Sequence, residues 1–122
     1  MEELPGKTIT LESLVEMFNN IENQAQWDIS KNMLWGYFFT HNNPQKLEQA
    51  AGVLKERGYR VVDIYLSDKE EPSEPDMYWL HVEKIEIHTP ESLDRQNDKL
   101  YIFANEFGLD SYDGMDVGPV SQ

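Results

Sequence analysis

Three histidines, twenty-three carboxylates and no cysteine set the limits of the chemistry open to this chain. His41, His81 and His88 fall in different predicted elements, and no pair has the i, i+4 spacing of a helical zinc motif. The lack of cysteine excludes disulfides, thiol catalysis and thiolate metal sites, and fits a reducing compartment. There is no G-x-S-x-G, no phosphate-binding glycine loop and no dinucleotide fingerprint. The carboxylates are too many for any acid–base pair to be singled out. Asp110, Asp113 and Asp116 stand three apart, whereas a calcium loop of the EF-hand type needs acids at alternate positions and a later glutamate. Asp113-Gly114 reads instead as a turn, since glycine accepts positive φ and aspartate bonds to nearby backbone. The expectation is therefore no catalytic centre, no metal site and no cofactor.

What remains is charge. Ten basic against twenty-three acidic residues give −13 on 122 residues. A surface that negative repels phosphate backbones and anionic lipid, and attracts basic partners. Hydrophobic residues make up 39%, enough for a packed core, so the charge does not imply disorder. No apolar run approaches the ~20 residues needed to span a bilayer. Met1 to Lys7 carries Glu2 and Glu3 and no apolar stretch, so no secretory signal is expected, and the expected location is the cytoplasm.

The elements that would carry this surface can be read along the chain. A first helix is predicted over Leu11–Asn23, capped by Thr10, with Ile9 and Leu14 as a hydrophobic staple. Leu11, Leu14, Val15, Phe18 and Ile21 form its apolar stripe. A polar connector, Asn23–Lys31, leads to an aromatic strand over Met33–His41. Asn43-Pro44 opens a second helix whose stripe is Leu47, Ala50, Ala51 and Leu54, ended by Gly58. Tyr59–Ser67 and Met77–His88 read as a strand pair, with a bulge expected near Glu83-Lys84. Thr89-Pro90 opens a third helix, with Leu93, Leu100, Phe103, Ala104 and Phe107 buried and Gly108 at its end. Ser111–Val120 supplies a last strand. After the first helix the order is β-α-β-β-α-β, the split-βαβ, ferredoxin-like pattern. It predicts an α+β sandwich: a four-stranded antiparallel sheet with two helices on one face, plus the extra N-terminal helix. Residues 1–32 would hold that helix and its connector and 33–120 the sandwich, as one structural domain overall.

Strand alternation assigns the faces. Asp63 sits mid-strand, and burying a carboxylate is costly, so its face is expected to point away from the helices. Val62, Ile64 and Leu66 then point inward. By analogy Leu34, Gly36 and Phe38 point inward from the first strand, and Trp35, Tyr37 and Phe39 outward. Tyr65, Trp79 and His81 join the outward set. That is too much aromatic area to leave exposed without a reason. Three covers are possible: the N-terminal helix or a second copy of the chain, a protein partner, or single-stranded RNA stacked on the rings. RNA is disfavoured by the net charge. The loop Asp68–Asp76, DKEEPSEPD, is a solvated acidic segment suited to steer a basic protein surface.

The run YFFTHNNPQKLEQAAGVLKERGYRVVDI, with Gly58-Tyr59-Arg60-Val61 within it, and the ending YDGMDVGP, with Tyr112-Asp113-Gly114, resemble the RraB family, regulators of ribonuclease E activity. The resemblance covers roughly Asp28 to Val120. It implies a ferredoxin-like sandwich without catalytic activity that binds the endonuclease, lowers its activity and slows RNA decay. The expected partner is a protein with a basic surface, such as an endoribonuclease, with no direct nucleic-acid or membrane binding. The candidate partner-binding residues are Trp35, Tyr37, Phe39, Tyr65 and Trp79 on the sheet, Glu70, Glu71 and Glu74 in the loop, and Tyr112 and Asp113 near the end. An immunity protein or other interaction module acting on a different basic target is the alternative.

Overall fold

The computed structural model describes residues 7–24 and 27–120. The expectations for the first six residues, and part of the connector, lie outside the described residues. The elements run α1 (Leu11–Gln24), β1 (Met33–His41), α2 (Pro44–Glu56), β2 (Arg60–Leu66), β3 (Tyr78–Glu86), α3 (Pro90–Phe107) and β4 (Ser111–Gly118). The strands form one antiparallel sheet in the order β2-β3-β1-β4. This is the order that a split-βαβ, ferredoxin-like chain path produces.

The helix starts form as their sequences dictate. The Asn43 side chain accepts from Gln45 N at 3.0 Å, and Pro44 occupies the first turn where its missing N–H is no loss. Thr89 and Ser92 make a reciprocal box, Ser92 N donating to Thr89 Oγ1 at 3.1 Å and Thr89 N to Ser92 Oγ at 2.8 Å. Thr10 and Ser13 repeat the same exchange at the start of α1.

The core lies between the sheet and the helices. Trp35, Tyr37 and Phe39 are fully buried at its centre, reversing the expected phase of β1. Phe18 of α1 stacks on Trp35 with centroids 6.0 Å apart. Tyr59 meets Tyr37 edge-on at 5.7 Å, and Phe103 of α3 meets Phe39 at 5.9 Å. Since these three alternate residues share one face of β1, α1 packs on the same side of the sheet as α3. It does not cover the other side. Within α1, Leu14 and Phe18 are buried and Ile21 packs against the core, while Leu11 and Val15 are exposed.

Two bulges break the regular alternation in β2 and β4. β2 shifts register between Val61 and Asp63, so Val61 and Ile64 both reach the core while Val62 and Leu66 are exposed. β4 shifts opposite Phe38/Phe39, leaving Asp113 as the extra residue. Asp113-Gly114 is thus a bulge inside a strand rather than a turn. Gly114 has φ 141°, a conformation that side chains rarely adopt. β3, where a bulge was expected, pairs with β1 without a break. Its apolar pattern shifts only because Lys84 and Glu86 occupy inward positions and Ile85 an outward one.

Glu86 is tolerated there because it is bonded. Tyr37 Oη donates to Glu86 Oε2 at 3.0 Å, and His88 Nε2 lies 3.0 Å from the same oxygen. His88 Nδ1 lies 2.9 Å from the Ser92 hydroxyl, which ties the cluster to the first turn of α3. Burial alone would raise the Glu86 carboxyl, but the bonds from His88 and Tyr37 outweigh it and hold it below its ordinary 4.5. A carboxyl depressed in the folded state stabilises above its unfolded value, and that stability is lost as pH falls through the folded value. Glu86→Gln should therefore cost about 1–2 kcal/mol at neutral pH, the scale of a hydrogen bond to a charged group. In thermal melts from neutral pH to about pH 3, the gap between variant and parent should close. A gap that stays constant across the acid range would remove the carboxylate from this account.

Candidate functional site

The side of the sheet away from the helices is uncovered among the described residues. Register places its occupants. Asp63 faces His81 across β2 and β3, and Tyr65 faces Trp79. His81 in turn faces Phe38, and Phe38 faces Gly114 of β4. Gly36 faces Asp116. A single row across the four strands therefore runs Asp63, His81, Phe38, Gly114, with Tyr65 and Trp79 on one flank and Gly36 and Asp116 on the other.

These side chains touch. His81 lies flat on Phe38, centroids 4.4 Å apart at 17°, and Trp79 meets Phe38 edge-on at 6.3 Å. Phe38, Tyr65 and Trp79, with Asp113, Gly114 and Met115, line a shallow depression. Gly36 makes room at the other end. A Cβ there would fall within 2.8 Å of His81 Nε2 and against the Asp116 carboxylate, so only glycine lets both side chains lie across β1. Burial, then the charges of Asp63, Asp113 and Asp116, push the Tyr65 phenol above its ordinary 10.0. Among the described residues none of those three makes a salt bridge. The cation of this face, Arg60, is already held by Glu83.

The acidic loop leaves the sheet beside this patch, one residue pair beyond Tyr65 and Trp79. Glu70, Glu71 and Glu74 are exposed in it. Lys69 pairs with Asp76 and Ser67 N donates to Met77 O at 2.7 Å, so its base is tied.

The sequence-predicted site residues thus divide. Tyr65, Trp79, Asp113, Glu70, Glu71 and Glu74 are on the accessible surface, at one end of the open face or next to it. Trp35, Tyr37 and Phe39 are in the core, where they offer no surface to a partner. Tyr112 is buried too, its hydroxyl donating to Asn97 Oδ1 at 2.6 Å. The physical reason is that β1 is a central strand, and its largest rings fill the space under three helices. Phe38, Asp63 and Asp116 replace them on the open face. Only cross-strand register brings those residues together, so no local pattern announces them.

The arrangement suits recognition. His81 stacks but makes no hydrogen bond to a side chain among the described residues, and no group of three potential ligands is placed to hold a metal among them. No helix among the described residues is long and apolar enough to cross a membrane. Fold and site together define an α+β sandwich with one helical side and one open side that is aromatic at its centre and acidic at its rim.

The chain belongs to the RraB family, whose model, described as regulator of ribonuclease activity B, matches residues 12–117 of its 122. The match takes in nearly all of α1 and of the sheet. The family is one of regulators of ribonuclease activity. No curated protein matches the chain.

Proposed function

We propose that this protein is a non-catalytic regulator that docks on an endoribonuclease through its acidic surface and lowers RNA degradation. The family match over residues 12–117 carries the reading. The charge of −13 supports it, because an enzyme that handles RNA offers a basic surface. The same charge makes the protein a poor competitor for RNA itself. The absence of cysteine suits the cytoplasm, where such an enzyme works.

The test is capture of the host's endoribonuclease on the immobilised protein, paired with an RNA-cleavage assay. Capture at low salt that fades as salt rises, with slower cleavage, is the expected result. No capture at low salt overturns the reading. Within it, the acidic loop acts by steering. Glu70→Lys, Glu71→Lys and Glu74→Lys together should slow association about three- to tenfold at low salt and leave dissociation nearly unchanged. An unaltered association rate in stopped-flow mixing removes the loop from the account.

A further inference from the structure

The open face combines two features that rarely suit the same ligand. Its centre is aromatic: Phe38, Tyr65 and Trp79 around one depression. Its rim carries Asp63, Asp113 and Asp116, all exposed and, among the described residues, without a cationic partner. An apolar partner surface would have to desolvate those carboxylates without compensation. A single-stranded nucleic acid would stack on the rings but bring its phosphates against the aspartates. A cationic side chain satisfies both features.

The choice between lysine and arginine follows from shape. A lysine ammonium is a compact, strongly hydrated point charge. A guanidinium is planar, more weakly hydrated, stacks on aromatic faces and forks to carboxylates through paired N–H groups. The depression offers ring surface beside an exposed carboxylate at the Asp113 bulge, and Asp63 and Asp116 add charge from either side. We infer that this notch takes an arginine side chain presented by a partner protein, with the guanidinium stacked against Tyr65 and Trp79 and paired with Asp113. The inference deepens the proposed docking function and rests on it for the nature of the partner.

The like charges fit this account. Three carboxylates on one face without cationic partners among the described residues repel each other in the free protein, and a bound cation relieves the repulsion. Replacing them with amides should therefore leave the melting temperature unchanged or raise it, while binding is lost. That combination separates a recognition surface from a structural one.

The experiment uses the full chain with Trp27→Phe, so that the accessible indole is Trp79 and the other, Trp35, is buried. Short amidated peptides with three arginines separated by glycines are titrated at low salt, with emission and calorimetry as readouts. The lysine counterparts and a single-stranded oligouridylate are titrated in the same way. The arginine peptide should shift Trp79 emission and bind at least about threefold tighter than its lysine counterpart. Asp63→Asn, Asp113→Asn and Asp116→Asn together should weaken it about tenfold with no fall in melting temperature, and Trp79→Ala, read by calorimetry, should weaken it about tenfold as well. Equal binding of both peptides without an emission change, or quenching by the oligouridylate at the same salt, overturns the inference. Ribonuclease capture that survives the three aspartate substitutions combined with Trp79→Ala also overturns it, and leaves the regulator reading standing. Arginine selectivity without ribonuclease capture supports the notch and overturns the regulator reading instead.

Discussion

Trp35→Ala should cost about 3–5 kcal/mol, the range found when a buried large aromatic is truncated, or leave no folded protein at all. A domain of this size has about 5–15 kcal/mol in total, so either outcome is within reach. The indole is fully buried. It holds α1 to the sheet through its stack on Phe18 and meets the His88 ring edge-on at 5.3 Å. Removing it undercuts both the first helix and the Glu86–His88 cluster. Trp35→Phe is the control. It keeps an aromatic face for Phe18 and removes the indole N–H, which is buried without a hydrogen-bond partner among the described residues. Its cost should be well below that of alanine. Trp79→Ala, on the other side of the sheet, should cost under about 1 kcal/mol, as surface substitutions do. Urea denaturation followed by circular dichroism measures all three. A neutral Trp35→Ala beside a destabilising Trp79→Ala would invert the assignment of the two faces.

That comparison bears on what a single sequence can reveal. Chain order and helix boundaries were legible because their causes are local. Asn43-Pro44 and Thr89-Pro90 announce helix starts through side-chain caps, and β1 was placed over its observed span by its aromatic run. The outward position of Asp63 was also legible, from the cost of burying a carboxylate. That phase does not carry over from β2 to β1. Facing depends on cross-strand register, and nothing local tells that Phe38, rather than Trp35, Tyr37 or Phe39, stands in the row of Asp63 through His81. The bulge in β2 misleads only locally, turning Val61 inward and Val62 outward.

The candidate site was legible to the extent that it is compositional. Glu70, Glu71 and Glu74 stand out as a charge run in sequence, and Tyr65 and Trp79 follow from the phase set by Asp63. That Phe38, Asp63, Asp113 and Asp116 share one face was not, because these residues come from three strands and are brought to it only through pairing. Met115 pairs with the inward Tyr37 and its sulfur lies by Asn97 on the helical side, and the bulge lets Asp113, two residues earlier, stand exposed at the depression. The two sides of the sheet have different tasks. The buried side spends its aromatics on stability, and the open side keeps repelling charges that stability alone would not retain.

Asn97 is the polar residue that the apolar stripe of α3 conceals, and its removal is the other large effect expected. It is fully buried. Its Oδ1 accepts from Tyr112 Oη at 2.6 Å, and its Nδ2 lies 3.5 Å from Met115 Sδ. Burial, then the neighbouring Tyr101 and Tyr59, push the Tyr112 phenol well above 10.0, so it stays a neutral donor. Asn97→Ala orphans that donor inside the core and should cost about 1–3 kcal/mol, more if a cavity remains. Tyr112→Phe orphans the Asn97 oxygen with a similar cost. Asn97→Leu with Tyr112→Phe removes both partners at once and should be less damaging than the sum of the single changes, with a coupling of about 1–2 kcal/mol in a double-mutant cycle. Tyr112 also sets the position of the next residue, Asp113. Tyr112→Phe should thus weaken arginine-peptide binding a few-fold under conditions where the variant is still folded. Additive single changes, together with unaltered peptide binding, would show that the Asn97–Tyr112 bond neither stabilises β4 nor positions its bulge.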